Sequence, residues 1–189
     1  VKIFQILYFY GMVNEHVILV DKDDNQLGLM EKIEAHEKAL LHRAFSVFIL
    51  NKKNQLLLQQ RASHKYHSPG LWTNTCCSHP RDREDILDAG KRRLFEEMGI
   101  KSNLFHLLTF IYKAKFDNGL TEHELDHVLI GKFDGDPIIN KNEVSNWKWI
   151  DLEDIRQDVS VNPADYTVWF KIIFEKFYNK YLINEGNSK

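Results

Sequence analysis

The stretch that decides the fold runs from Ser78 to Ile100 and reads SHPRDREDILDAGKRRLFEEMGI. Small and apolar residues recur in it at helical spacing: Ile86, Leu87, Gly90, Leu94 and Met98. This periodicity predicts a helix over Glu84–Met98, and Gly99 stands where a left-handed residue commonly ends a helix. Two adjacent carboxylates, Glu96 and Glu97, lie near the end of that helix. In isolation such a pair is typical of a solvated helix face, so its meaning depends on the residues around it.

Patterns typical of short strands precede and follow this helix. The predicted strands are His16–Val20, Gln26–Lys32, Phe45–Leu50, Leu56–Gln60, Leu71–Cys77, Leu104–Lys115, Glu124–Phe133 and Glu143–Ile150. The other helical patterns are a helical turn or loop at Glu34–Leu41, a short helix at Asp151–Arg156 and a long amphipathic helix at Pro163–Tyr181. Together they predict an α+β fold: a mixed β-sheet core sandwiched by helices, with an N-terminal β-hairpin extension and a long C-terminal helix.

The composition restricts the class of protein. The chain has 189 residues, of which 43% are hydrophobic and 28% charged, and no linker divides it, so residues 1–189 are expected to form a single domain. Its net charge of −2 offers no basic excess, and no nucleic-acid partner is expected. The two cysteines, Cys76 and Cys77, are neighbours and poor disulfide partners, which excludes a secreted disulfide scaffold and favours a cytoplasmic location.

The two ends of the chain look unlike its middle. The apolar stretch Val1–Tyr10 is shorter than the roughly 20 residues that cross a bilayer, so no membrane partner is expected. One hypothesis makes Met12 the natural start and Val1–Gly11 an upstream extension; the alternative is an extra edge strand or arm. The intact mass of the native protein would decide between them. Asn184–Lys189 is polar and is expected to be a frayed tail.

Three separate segments of the sequence carry side chains that commonly ligate metals, and spacing alone does not bring the segments together. His36 and His42 flank one short segment, His79 follows Cys77 closely, and Glu122 and Glu124 face the same side of a predicted strand. Three imidazoles and two carboxylates are a ligand set for a divalent ion, although each of these residues is also common at a surface. A structural zinc site is not indicated, because no second Cys pair has zinc-finger spacing.

The opening stretch also matches the Nudix signature, which reads Gly, five residues, Glu, seven residues, then Arg-Glu-aliphatic-x-Glu-Glu-x-Gly-aliphatic. The matching positions are Glu84, Arg92, Leu94, Glu96, Glu97, Gly99 and Ile100. The chain departs from it at Ser78, in place of the first Gly, and at Arg93, in place of a Glu. Because a cation replaces one carboxylate, the pattern indicates a Nudix scaffold that binds a Mg²⁺-diphosphate without hydrolysing it.

Beyond this box, most of the chain resembles the type 1 isopentenyl-diphosphate isomerases, from about Met12 to about Tyr181. The most specific matching segments are Leu41–Ser46 (LHRAFS), Gly70–Pro80 (GLWTNTCCSHP) and Glu122-x-Glu124. The resemblance implies an isomerase that interconverts isopentenyl and dimethylallyl diphosphate through a carbocation, for isoprenoid biosynthesis. It also implies a small-molecule isoprenyl diphosphate as partner. A monomer is expected, and flavin is not, because the sequence has no Gly-rich phosphate loop and is shorter than a TIM barrel.

The resemblance further implies two metal sites and a diphosphate site. His36, His42, His79, Glu122 and Glu124 would hold Zn²⁺, Mn²⁺ or Mg²⁺. Glu97 would hold Mg²⁺, which would bridge the diphosphate and the backbone carbonyl of Cys77. The residues expected to contact the diphosphate are Lys32, Arg61, Lys65 and Arg93.

For the acid–base chemistry, the resemblance implies Glu124 and Cys77 as the reacting pair, with Tyr112 and Trp169 beside the isoprenyl carbons. We assign Glu124 as the acid, with Tyr112 completing the proton transfer, and Cys77 as the base on the opposite face. Trp169 would stabilise the cation, with Val168 before it where the family has Pro. Cys76 is expected to be buried and inert. The runner-up function is a Nudix hydrolase, and a non-catalytic diphosphate-binding module is the third hypothesis.

Overall fold

The computed structural model describes residues 15–65, 67–116 and 118–186, within which the chain forms nine β-strands and four α-helices. The strands are β1 (His16–Val20), β2 (Gln26–Glu31), β3 (His42–Leu50), β4 (Gln55–Arg61), β5 (Trp72–Thr73), β6 (Cys76–Ser78), β7 (Leu104–Lys115), β8 (Thr121–Lys132) and β9 (Val144–Asp151). The helices are α1 (Lys32–Glu37), α2 (Ile86–Met98), α3 (Leu152–Val161) and α4 (Val168–Gly186), with a 3₁₀ turn at Pro163–Asp165. Val1–Gly11, Met12 and Asn187–Lys189 lie outside the described residues.

Strand β3 is the centre of the sheet. It runs parallel to β8 over its whole length, and on its other side it pairs in turn with β1, β6 and β4, all antiparallel. Strands β2, β7 and β9 extend the sheet by antiparallel pairing with β1, β8 and β4. The predicted mixed sheet is therefore confirmed, and so is the hairpin formed by β1 and β2.

Each face of the sheet packs against a helix. Successive side chains of a strand point to opposite faces, so β3 serves both layers. Phe48 packs under α4, where its ring stacks on Phe177 with centroids 4.2 Å apart. Phe45 and Val47 face the other way and belong to the cluster that includes Leu94 of α2. The expected sandwich of a sheet between helices is thus observed.

The decisive stretch folds as a loop followed by α2. Asp85 caps the helix, since its Oδ1 accepts the N–H of Leu87 at 2.8 Å, and Gly99 ends it with a φ of 66°. Glu84 precedes the helix instead of beginning it as predicted. Its carboxylate receives Arg92 Nε at 2.6 Å and Arg92 Nη2 at 2.8 Å. This two-bond pair ties the loop to the helix and explains the fixed distance between the two residues in the sequence pattern.

The segment Leu71–Cys77, predicted as one extended strand, is broken into β5 and β6. Asn74 and Thr75 lie between the two strands with both side chains buried. The Asn74 amide donates to the carbonyls of Val47 and Cys76, and the Thr75 hydroxyl donates to the carbonyl of Leu57 at 2.7 Å. These side-chain bonds replace the strand pairing of the backbone at that point.

The terminal helix differs from its prediction at both ends. Pro163 begins only a 3₁₀ turn, and α4 starts at Val168 after Thr167, whose hydroxyl accepts the N–H of Phe170 at 3.3 Å. The helix continues to Gly186, so part of the tail expected from Asn184 onward is helical. The predicted apolar side of α4 is confirmed as buried core. No helix of the described part of the chain is both long and apolar enough to cross a membrane.

The left-handed end of α2 yields a test of the fold. At Gly99 an added Cβ would lie 2.7 Å from the backbone oxygen of Ile138, in addition to the cost of a positive φ. We expect Gly99→Ala to lower the free energy of unfolding by roughly 1–3 kcal/mol, measured by urea denaturation. Gly28→Ala is the matched control, because nothing lies within 4 Å of a Cβ there. Equal losses of stability in the two variants would contradict this account.

Candidate active site

A cavity of about 580 Å³ opens beside the middle of the sheet. Almost every residue predicted for the site lines it: Lys32, His36, Arg61, Lys65, Cys77, His79, Arg93, Glu97, Tyr112, Glu122, Glu124 and Trp169. The exception is His42, whose fully buried ring lies just behind the wall, with centroids 4.8 Å from His36 and 5.0 Å from His79. The fold thus brings together residues from α1, α2, α4 and five strands or their adjoining loops.

Strand register places the central groups of the cavity in one row. His42 of β3 pairs with Glu124 of β8, and Glu124 pairs in turn with Tyr112 of β7. Directly paired residues point to the same face of a sheet, so all three side chains meet. Cys77 joins this face from the other side of β3, where it pairs with Ser46.

Four of the predicted metal ligands form a tight cluster. One ligand atom from each of His36, His42, His79 and Glu124 lies within 4.8 Å of the others. His79 Nε2 is 3.1 Å from Glu124 Oε1, and His42 Nε2 is 3.7 Å from the same oxygen. Glu122, expected as a fifth ligand, lies outside this cluster and instead contacts Tyr112.

The donor set of the cluster fits a divalent ion. His36 Nδ1 lies 2.6 Å from the carbonyl oxygen of Lys32, and His42 Nδ1 lies 2.9 Å from that of Leu40. A carbonyl only accepts, so each Nδ1 carries the hydrogen and each Nε2 keeps its lone pair. His42 Nε2 is buried and has no hydrogen-bond partner among the described residues, as expected of a nitrogen reserved for a metal.

Burial favours the neutral form of two imidazoles of the cluster, those of His36 and His79. It lowers the pKa of His79 to about 3, although Glu124 opposes the effect, and together with the nearby His42 it lowers the pKa of His36. Burial also raises the pKa of Glu124, but the imidazoles of His42 and His79 outweigh it and hold that pKa below its usual value. Neutral rings beside a carboxylate are the protonation states that metal binding requires.

A second carboxyl and a phenol adjoin the cluster. Tyr112 Oη lies 2.6 Å from Glu124 Oε2 and 3.0 Å from Glu122 Oε2. Burial and the charge of Glu124 raise the pKa of Glu122 well above its usual value, which favours the protonated form of this carboxyl. A phenol has one proton to give, so Tyr112 donates to the ionised Glu124 and accepts from Glu122. The three groups form a short proton chain.

The adjacent cysteines have different surroundings, as the sequence predicted. Cys77 reaches the cavity, whereas Cys76 is fully buried in the apolar cluster under α2. Burial, reinforced by the charge of Glu97, raises the pKa of the Cys77 thiol. The sulfur that faces the cavity is therefore a thiol in the ligand-free protein.

The four predicted diphosphate contacts also line the cavity. Lys32 Nζ pairs with Glu15 at 3.0 Å, and Lys65 pairs with Glu143. Arg93 pairs with Glu96 at 2.9 Å and with Glu97 at 2.5 Å. Arg61 instead places its guanidinium carbon 5.1 Å from the ring centroid of Trp169.

Two guanidinium N–H groups of these residues could each donate a further hydrogen bond. Arg61 Nε and Arg93 Nε are buried and have no hydrogen-bond partner within residues 15–65, 67–116 and 118–186. Buried N–H groups are rarely left unpaired in proteins. Their position at the cavity is consistent with a ligand that offers several acceptor oxygens, as a diphosphate does.

Sequence reasoning missed two residues of the cavity wall, Gln59 and His67, and a buried carboxylate near it, Asp126. Gln59 donates to Glu97 at 2.9 Å, and the ring of His67 lies 5.3 Å from Phe116 and 5.4 Å from Trp169. Asp126 is fully buried two residues beyond Glu124, and burial with the charge of Glu124 raises its pKa. The alternation that singled out Glu122 and Glu124 extends to Asp126 and could have found it. No comparable signal marks Gln59 or His67.

Comparison with known proteins places this site in a family. The chain matches the Nudix domain over residues 40–170. It is 52% identical over 161 residues to an isopentenyl-diphosphate Delta-isomerase 2 of Photorhabdus laumondii, covering 85% of this chain and 91% of that protein. The Delta-isomerase 2 of Aromatoleum aromaticum is 46% identical and covers 87% of each chain.

Solved structures support the fold alone. The MutT protein of Methanosarcina mazei superposes with a TM-score of 0.61 at 18% identity, covering 74% of this chain and 94% of that one. Its fold confirms the Nudix-like architecture expected from the decisive stretch. With the relatives at about half identity over most of their length, these findings show that the chain belongs to the isopentenyl-diphosphate Delta-isomerase family of Nudix proteins.

Proposed function

We propose that this chain interconverts isopentenyl diphosphate and dimethylallyl diphosphate by the roles assigned below to its cavity residues. The activity follows from the family, whose members of known name are Delta-isomerases. The single observation that supports the residue roles is that the Cys77 thiol and the Tyr112–Glu124 pair line one cavity. A proton donor and a proton acceptor on two sides of a bound alkene are what this reaction needs.

The reaction moves one proton onto carbon and removes another. In the forward direction, a proton adds to the terminal CH₂ of the alkene and leaves a tertiary carbocation at the adjacent carbon. Loss of a proton from the CH₂ next to the diphosphate-bearing carbon then forms the more substituted alkene. The protein therefore supplies an acid for the first carbon, a base for the second, and surroundings that do not trap the cation.

Glu124 and Tyr112 serve the terminal carbon in this proposal. Protonated Glu124 gives its proton to the alkene, and the hydrogen bond from Tyr112 at 2.6 Å lets the phenol return a proton to that carboxylate. Glu122, whose pKa is raised by burial, stands behind Tyr112 at 3.0 Å as a source of the replacement proton. The carboxylates are thus arranged in series with the phenol between them.

Cys77 serves the other carbon, as a thiolate that accepts the proton. The ligand-free protein has a thiol at Cys77 and an ionised Glu124, because the pKa shifts of the two groups run in opposite directions. This is the protonation state left by one forward turnover. By microscopic reversibility it is also the state ready for the reverse reaction, in which the thiol protonates dimethylallyl diphosphate and Glu124 removes the methyl proton.

Trp169 is the cation stabiliser. Its ring is buried at the cavity wall. The positively charged guanidinium of Arg61 already lies over this ring, 5.1 Å from its centroid. A cation–π contact in a water-free site contributes about 2 kcal/mol, which is small beside the roughly 8–23 kcal/mol by which enzymes lower barriers. Positioning by the diphosphate and the electrostatics of the closed cavity must therefore supply most of the catalysis.

The metals have separate residues in this proposal. His36, His42, His79 and Glu124 would hold one ion, Zn²⁺, Mn²⁺ or Mg²⁺, with Glu122 beside them, and Glu97 would hold Mg²⁺. When bound, the first ion supplies positive charge that makes the Glu124 carboxyl more acidic, and Mg²⁺ offsets the charge of the diphosphate. The four cationic residues of the cavity would bind the remaining phosphate oxygens with charge-assisted hydrogen bonds.

We further propose a monomer in the cytoplasm. Both cysteines are free thiols, which agrees with a reducing compartment. The cavity is built from one copy of the chain, so a single copy supplies every residue assigned here.

The two cysteines give a matched test of the base. Cys77→Ala removes the sulfur at the cavity, and we expect turnover to be lost, whereas Cys76→Ala keeps most of it because that thiol lies in the apolar layer. The measurement is deuterium incorporation into isopentenyl diphosphate in D₂O with Mg²⁺. Similar losses in both variants would contradict the role of Cys77, and release of phosphate from the substrate would favour the hydrolase instead.

The phenol of Tyr112 gives a test of the acid. Tyr112→Phe keeps the ring and removes the proton donor to Glu124, so we expect kcat to fall by about 10²–10⁴-fold, the usual contribution of a general acid. Tyr178→Phe removes another phenol, which bonds the exposed Glu153 at 2.7 Å, and should leave kcat unchanged. A Tyr112→Phe variant with the kcat of the parent would exclude Tyr112 from the proton transfer.

The imidazole cluster gives a test of the metal site. We expect His79→Asn to weaken Zn²⁺ binding by more than about 100-fold, because even loss of an outer partner of a ligand costs about 10–100-fold. His106→Asn is the control, since His106 is exposed, bonds Thr109 at 2.7 Å and contacts the ring of His127, away from the cluster. A competition titration with a chromophoric chelator measures both, and equal affinities would show that the ion is held elsewhere.

A further inference from the structure

Glu143 is a carboxylate of the cavity wall that no step of the proposed reaction uses. Its Oε2 pairs with Lys65 Nζ and lies 3.7 Å from Arg93 Nη2. The same nitrogen of Arg93 contacts Glu97 at 2.5 Å. Glu143 thus lies among two of the cations assigned to the diphosphate and close to the carboxylate assigned to Mg²⁺.

The backbone holds Glu143 in this place. Its carbonyl accepts the N–H of Ala62 at 3.0 Å, and its own N–H donates to Asn140 at 2.9 Å. Asn140 in turn donates to the carbonyl of Glu97 at 2.9 Å. The turn that carries Glu143 is therefore fixed both to the end of β4, next to Arg61, and to the end of α2. These backbone bonds fix the position of the Glu143 carboxylate in the cavity wall.

The balance of charges in the cavity shows why the position of Glu143 matters for the binding of an anion. Six carboxylate side chains line the cavity, against four lysine and arginine side chains: Glu15, Glu31, Glu97, Glu122, Glu124 and Glu143 against Lys32, Arg61, Lys65 and Arg93. Even with Glu122 protonated, the wall carries no excess of positive charge. A bare diphosphate would enter a cavity in which three of the four cations, Lys32, Lys65 and Arg93, are already paired with carboxylates.

We propose that Glu143 is a specificity-determining residue: it occupies Lys65 and Arg93 in the ligand-free protein, so that a diphosphate displaces it more readily when divalent cations accompany the ligand. This inference rests on the proposed function for the identity of the ligand. Opposite charges attract and like charges repel at these distances, so the negative charge of Glu143 opposes a phosphate oxygen at the same two cations. Divalent ions supply the missing positive charge and remove the disadvantage.

The experiment measures binding instead of turnover. Inorganic diphosphate is titrated calorimetrically into the parent protein, Glu143→Gln and Glu143→Asp, once with EDTA and once with Mg²⁺. We expect Glu143→Gln to bind metal-free diphosphate about tenfold more tightly, equivalent to about 1.4 kcal/mol, with a smaller gain in Mg²⁺. Glu143→Asp keeps the charge and should stay near the parent. Glu153→Gln, at an exposed carboxylate paired with Arg156, is the control for charge alone.

The remaining outcomes would overturn the inference. Weaker binding by Glu143→Gln in both buffers would mean that Glu143 holds the two cations in place for the ligand, and unchanged binding would mean that it has no influence. A parallel change in Glu143→Asp would show that the hydrogen bond, and not the charge, is what matters. If the parent protein bound no diphosphate even with Mg²⁺, the proposed function itself would fail, which is distinct from these results.

Discussion

The parallel pairing of β3 with β8 is the constraint on which the site depends. It sets His42 beside Glu124, and the antiparallel partner β7 adds Tyr112 to the same row. A shift of one residue in this register would turn all three side chains to the opposite face of the sheet. Phe45, Val47 and Leu129 point to the opposite face of β3 and β8, where they pack under α2 and resist such a shift. The core that stabilises the fold therefore also aligns the chemistry.

Much of this arrangement could be predicted from the sequence. The decisive stretch has a capping Asp85, helical periodicity and Gly99 at its end, and these are local signals that do not depend on the rest of the chain. Glu122 and Glu124 share a face because strand geometry has a period of two. The family resemblance then supplied the residues of other segments, which spacing alone could not bring together.

The errors have a common physical cause, which is contact between segments far apart in the sequence. Asn74 and Thr75 break a strand because they bond to β3 and β4, and no local pattern reveals those partners. Glu143 and Gln59 enter the cavity for the same reason, from a turn and a strand without signature residues. The start of α4 at Val168 depends on Thr167, whose N–H is held by the carbonyl of Trp72.

The position of α4 in the chain has a consequence for the folding of the protein during its synthesis on the ribosome. Trp169 belongs to the last helix, and that helix also covers the sheet face on which Phe48 and Cys77 lie. A nascent chain that has emerged only as far as β9 already contains the imidazoles and carboxylates, yet it lacks the wall that shields them from water. The reactive half of the cavity therefore stays open to solvent during synthesis until α4 has emerged and packs against the sheet.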